Sequence, residues 1–219
     1  MEKSEIFRNT EDWYLNTTDS VSNGLLKFAA QNAGNKILDV GCATGNYCVK
    51  LKKLGFSCVG IDINKKYVEK SIENNVESYL MDAMNLKFPD NSFDTILLFE
   101  VLEHVENPRR IIKEAKRVAK KNVLITVPNS TMFHELRKYG LTYEHMLEKD
   151  HVNFFTKNDL EKLLSKYFDV FHVEEREVMN FEIVNYPFWL RYPLLILSKL
   201  KLIKSSVYFR LYAIAIIEE

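Results

Sequence analysis

The sequence lacks a surplus of charge of either sign, since 30 Lys and Arg offset 30 Asp and Glu over 219 residues. Proteins that grip the phosphate backbone of nucleic acids normally carry a basic face or a high isoelectric point. A balanced chain is therefore expected to have no nucleic-acid partner, although short basic clusters such as Lys120-Lys121 are present. Cysteine is sparse. Cys42, Cys48 and Cys58 contain no CxxC pair, and no histidine stands at ligand spacing from them, so neither a disulfide framework nor a metal site is expected. An odd cysteine count behind the charged N-terminus MEKSEIFRNTEDWY, which has no apolar leader, reads as reduced thiols in a cytoplasmic protein. Long apolar runs are missing too. In the most apolar segment, 186–204, only seven uncharged residues separate Arg191 from Lys199, far short of the ~20 that cross a bilayer.

What is present is an ordinary globular composition, 47% hydrophobic and 27% charged, in which short apolar runs alternate with helical patterns. Runs such as TILLF and VLITV do not alternate apolar with polar residues, which suits strands buried on both faces of a parallel sheet. Strands are expected at about 36–41, 57–62, 77–81, 93–99, 121–127, 168–175 and 208–217. Helices are expected at about 19–32, 46–54, 64–74, 108–120 and 156–166, the last with Thr156 as its N-cap. Strands alternating with helices mean an α/β fold with right-handed crossovers.

The stretch ILDVGCATGN, residues 37–46, carries the first chemical signal. A dinucleotide fingerprint needs glycine at the first, third and sixth positions. Counted from Gly41, Ala43 and Asn46 stand at the last two, and no Gly-Lys-Ser/Thr of a phosphate loop follows. Asp39 sits where a carboxylate would repel a pyrophosphate and attract an ammonium group. Gly41 and Gly45 read either as a cradle for a cationic ligand or simply as turn residues. Asp62 ends the next apolar run, where an acid can accept from both ribose hydroxyls. Asp82 ends the third and could accept from an adenine amino group. Three acids at successive strand ends point to one crevice.

These motifs, ILDVGCATGN, GIDIN, MDAMNLKFPDNSFDTILLFEVLEHVENP and KRVAKKNVLITVPN, resemble those of class I S-adenosylmethionine-dependent methyltransferases. EVLEHVENP, VPN and DHVNFFTKNDLEKLL resemble a subgroup with ubiquinone-biosynthesis O-methyltransferases and sugar methyltransferases. The resemblance implies a Rossmann-like, doubly wound, mostly parallel seven-stranded sheet with helices on both faces. It implies S-adenosyl-L-methionine as cofactor and S-adenosyl-L-homocysteine as product. Asp39, Gly41, Cys42, Ala43 and Gly45 would hold the methionine portion, Asp62 the ribose, Ile63 and Ala83 the adenine with Asp82, and Phe99 with Glu100 the sulfonium side. It also implies one domain over 1–219, divided into a helical cap (1–34), a cofactor-binding core (35–130) and acceptor-side insertions (131–155 and 178–207). Phe99-Glu100-Val101 stands where amino methyltransferases of nucleobases and proteins carry Asn/Asp-Pro-Pro-Tyr, so a small-molecule acceptor is expected instead.

A hydroxyl acceptor needs its proton removed, and histidine is the commonest residue for that. His151, beside Asp150, and His104, in the fourth motif, are the candidate catalytic residues; each can equally be a local hydrogen-bonding group. His134 and His145 are possible acceptor contacts, and His172 falls in a strand. The 186–204 segment, with Lys199, Lys201 and Lys204 among leucines, suits a packed helix, a lid or a peripheral membrane contact. Two other readings stay open: an inactive cofactor-binding module of the same fold, and an NAD-dependent oxidoreductase, which the failed fingerprint disfavours.

Overall fold

Uninterrupted apolar runs demand burial on both faces, and each of these becomes a strand covered on both sides. The computed structural model describes residues 21–131, 150–178, 188–200, 202 and 208–218. Trp13, Tyr14, His134 and His145, with much of the insertions expected at 131–155 and 178–207, lie outside the described residues. In chain order the elements are α1 (Asn23–Asn32), β1 (Lys36–Val40), α2 (Asn46–Lys53), β2 (Ser57–Asp62), α3 (Lys65–Glu73), β3 (Glu77–Leu80) and β4 (Phe93–Phe99). A 3₁₀ turn (Leu102–His104) follows, then α4 (Pro108–Val118), β5 (Ala119–Pro128), α5 (Lys157–Leu164), β6 (Phe171–Val178), α6 (Phe188–Lys199) and β7 (Tyr208–Ile216).

The seven strands form one sheet in the order β3-β2-β1-β4-β5-β7-β6, with β7 antiparallel to both its neighbours. This is the expected doubly wound, mostly parallel architecture. Successive residues of one strand serve opposite faces. Leu38, Val40, Ile96 and Leu98 pack with Ile111, Ile112 and Ala115 of α4 and Leu160 and Leu164 of α5. Ile37, Leu97 and Phe99 pack on the other side with Leu25 and Phe28 of α1 and Leu51 of α2.

Local chemistry fixes the helix starts. Ser22, Asn64 and Asn107 accept backbone N–H groups as N-caps of α1, α3 and α4, and Pro108 occupies the first turn of α4, where its missing N–H has no partner to lose. Thr156 and Asp159 form a capping box on α5. β5 begins two residues before the sequence suggested. The chain passes directly from α4 into the strand at Ala119, and the exposed Lys120 and Lys121 disguise its first turn of sheet.

One expectation is corrected. Cys48, on the buried side of α2, and Cys58, in β2, form a disulfide with Cα atoms 5.2 Å apart, and Cys42 alone is a free thiol. Their spacing of ten in sequence carries no sign of this; the packing of α2 on β2 brings them together. Among the described residues, no helix is long and apolar enough to cross a membrane.

Candidate active site

β1 lies beside β4 in the sheet, although β2 and β3 intervene in the chain and are laid down on the far side of β1. The strand order therefore reverses between β1 and β4, and the loops leaving their carboxyl ends diverge. A cleft of about 800 Å³ opens there, within the range of small-molecule sites. Asp39, Gly41, Cys42, Ala43, Asp62, Ile63, Asp82, Ala83, Phe99, Glu100 and His104 all line it. Gly45 and His151 are not among the lining residues.

The glycine turn is shaped by backbone that side chains resist. Gly41 has φ +72° and Gly45 φ +78°. A Cβ on Gly41 would stand 2.9 Å from Val101 Cγ2, and one on Gly45 would meet Ser71 Oγ. Gly45 thus acts behind the cleft wall, as the left-handed N-cap of α2. Ala43 also takes a left-handed φ of 45°. Its N–H donates to Asp62 Oδ2 (2.9 Å), while Asp62 Oδ1 accepts from the Asn64 N–H (2.8 Å). Asp62 therefore ties the two loops together before any ligand arrives, and a carboxylate retains further lone pairs for one. Asp82 does a similar local task, accepting from the Met84 N–H at 2.8 Å.

Electrostatically the cleft is lopsided. Among the described residues, Asp39, Asp62, Asp82, Glu100 and Asp150 line it, against Arg210 as the one lysine or arginine. Asp39 is 3% exposed, and burial, reinforced by the charge of Asp62, raises its pKa to about 7. Burial also pushes Asp62 up. Arg210, which sequence reasoning missed, comes from β7, opposite Pro128 of β5. It is already neutralised: Nε lies 3.1 Å from Glu100 Oε1, and Nη1 is paired with Glu177, which also accepts from the Tyr212 hydroxyl at 2.6 Å. Burial raises the pKa of Glu100, and its Arg210 partner opposes that rise. Glu100 takes a left-handed φ of 54° as it leaves β4, which aims a polar residue into the cleft where the apolar strand ends.

At one lip, the segment 150–155 is strapped onto the 3₁₀ turn. The Val152 and Asn153 N–H groups donate to the Glu103 carbonyl (2.8 and 3.0 Å), and Asn153 Nδ2 donates to the carbonyls of Leu102 and Val105 (3.0 and 2.6 Å). The strap sets the rings of His104 and His151 edge to face, with centroids 4.5 Å apart. Asp150 pairs with His104 Nδ1 at 3.3 Å, not with its sequence neighbour His151. Glu103, 1% exposed, joins the two imidazoles, and the three donors lie within 4.8 Å of one another. His172 is exposed on β6, away from this cluster.

Residues 16–169 match the family model of a methyltransferase domain. Over 92 residues the chain is 35% identical to norajmaline N-methyltransferase of Rauvolfia serpentina, covering 38% of this chain and 32% of that protein. Over 109 residues it is 32% identical to the ubiquinone biosynthesis O-methyltransferase of Pelagibacter ubique, covering 48% and 45%. The match thus spans less than half the length of either relative. The fold is similar to that of a SAM-dependent methyltransferase from Archaeoglobus fulgidus, with a TM-score of 0.71 at 19% identity, covering 95% of this chain and 98% of that one.

Proposed function

The chain belongs to the methyltransferase-domain family, and from that premise we propose that it transfers a methyl group from S-adenosyl-L-methionine to a small-molecule acceptor, leaving S-adenosyl-L-homocysteine. The observation that carries this reading is the cleft whose described lining holds five carboxylates and a single, already paired guanidinium. Such a wall suits a ligand bearing a sulfonium and an ammonium, and repels the pyrophosphate of a dinucleotide. When bound, the cofactor supplies a methyl group on an already activated sulfur.

In this reading Asp39 holds the ammonium end, with the Gly41–Thr44 backbone beside it. Asp62 accepts from the ribose, Ile63 and Ala83 flank the adenine, and Asp82 accepts from its amino group. Gly45 supports the turn from behind. Phe99 and Glu100 border the sulfur. The protein's main task is then to align an acceptor with the S–CH₃ bond and keep water out, and alignment alone contributes roughly 7–11 kcal/mol in favourable cases. His151 and His104 stand on the acceptor side, where they assist in removing a hydroxyl proton. The cap, core and acceptor-side insertions set out from the sequence are part of this proposal. For the acceptor we favour an oxygen of a sugar, a phenolic or quinone-like ring, or a lipid-linked compound. A methyl-release screen should detect S-adenosylhomocysteine with at least one of these; turnover with amines alone would contradict an oxygen acceptor, and no release with any class would favour an inactive binding module.

A lipid-linked acceptor is favoured by α6, where Trp189, Tyr192, Ile196 and Leu197 are exposed, as is Leu200 just past its end. Aromatic and aliphatic side chains on a helix whose sequence continues into Lys199, Lys201 and Lys204 suit an anionic lipid surface. Co-sedimentation with anionic vesicles is expected, and Trp189→Glu with Ile196→Glu should abolish it. Absence of sedimentation, or sedimentation that survives both changes, would remove this contact.

A further inference from the structure

We propose that Glu103, His104 and His151 form a binding site for a divalent transition-metal ion at the lip of the cleft. The sequence offers no familiar spacing for one, since His104 and His151 are 47 residues apart. The strap made by Val152 and Asn153 on the 3₁₀ turn brings them together. Two imidazoles and one carboxylate are the donor set that open, reactive metal sites use for zinc, iron, manganese and cobalt. At metal–ligand lengths of about 2.0–2.2 Å, tetrahedral donors stand about 3.4 Å apart. The observed spread of 4.8 Å or less therefore closes onto an ion by side-chain rotation, with no change of fold.

Two surrounding features fit a cation better than a bare pair of histidines. The Glu103 carboxylate is held in a buried position, 1% exposed, beneath imidazoles that are themselves half-buried. Asp150 contacts His104 Nδ1, the place where a metal-ligating imidazole commonly carries an orienting carboxylate. Three protein donors leave coordination positions open. His104 and Asp150 both line the cleft, so the cluster adjoins the crevice.

What the ion does there rests on the methyl-transfer reading. A hydroxyl that reaches a divalent cation ionises far more readily. The assistance of His104 and His151 in removing the proton is then indirect: the imidazoles hold the cation, the proton leaves to solvent, and the oxygen is left with the electron pair needed for attack. This narrows the acceptor to compounds that present an oxygen donor to the ion.

The site is testable without acceptor or cofactor. After dialysis against a chelator, calorimetric titration of the full chain with Zn²⁺ should show one saturable ion per chain, at a Kd of about 1 µM or tighter. His104→Ala and His151→Ala should each weaken it at least about tenfold, while both variants still bind S-adenosylhomocysteine, which reports an intact fold. On the unmodified chain, Zn²⁺ should shift the ring-proton NMR signals of two of the five histidines. No saturable binding, or binding indifferent to both substitutions, overturns the site. Cation binding without S-adenosylhomocysteine binding would sink the transfer reading and leave the site standing, and the reverse result would do the opposite.

Discussion

Asp39→Asn should weaken S-adenosylmethionine binding by roughly tenfold to a hundredfold at pH 8 and, in the same protein, raise the melting temperature of the free chain. The two effects have one cause. Asp39 is 3% exposed, and burial with the nearby Asp62 lifts its pKa from 3.8 to about 7. The folded state holds this proton more tightly than the unfolded chain does. The stabilising contribution of the protonated form is therefore complete below pH 4 and is lost as pH rises towards 7. At pH 8 the unliganded protein carries an uncompensated buried charge that asparagine removes. A gain on the order of a few kcal/mol, or several degrees, is expected. A cationic ligand reverses the balance by stabilising the ionised carboxylate. Binding should accordingly release a proton near pH 7, strengthen by up to about tenfold per pH unit below 7, and level off above it. Titration in two buffers of different ionisation enthalpy measures the proton. A pH-independent affinity with no proton release would remove Asp39 from the ligand contact.

The second large effect concerns the lip of the cleft. His151→Ala should lower turnover by roughly 10²–10⁴-fold while changing S-adenosylhomocysteine affinity less than about threefold. The separation follows from position. His151 packs on His104 at 4.5 Å between ring centroids but does not itself line the cleft in which the strand-end acids converge. Its loss leaves Asp39, Asp62 and Asp82 in place. Single-turnover kinetics beside a binding titration make the comparison. Lost cofactor binding with intact turnover per bound enzyme would contradict this assignment.

The strands were legible because burial on both faces leaves no room for polar alternation. Gly41 and the acids at 39, 62 and 82 were legible because each sits at or just past a strand end, where local sequence and cleft position coincide. The residues that escaped are those placed by long-range contact. Arg210 reaches the site only because β7 inserts antiparallel beside β5. The Cys48–Cys58 disulfide depends on how α2 settles on β2. Glu103 carries no signal of its own in the sequence; the Asn153 side chain, bonded to the carbonyls of Leu102 and Val105, brings His151 to it. Asp150 illustrates the same limit, since adjacency to His151 in sequence concealed its partnership with His104.

The central claim is that an acid-lined bend at the β1–β4 reversal selects a positively charged nucleoside. Parallel calorimetric titrations of the chain with S-adenosylmethionine and with NADH at pH 8 address it most directly. The account requires saturable, one-to-one uptake of the sulfonium compound and none of the dinucleotide; uptake of NADH, or of neither, would contradict it.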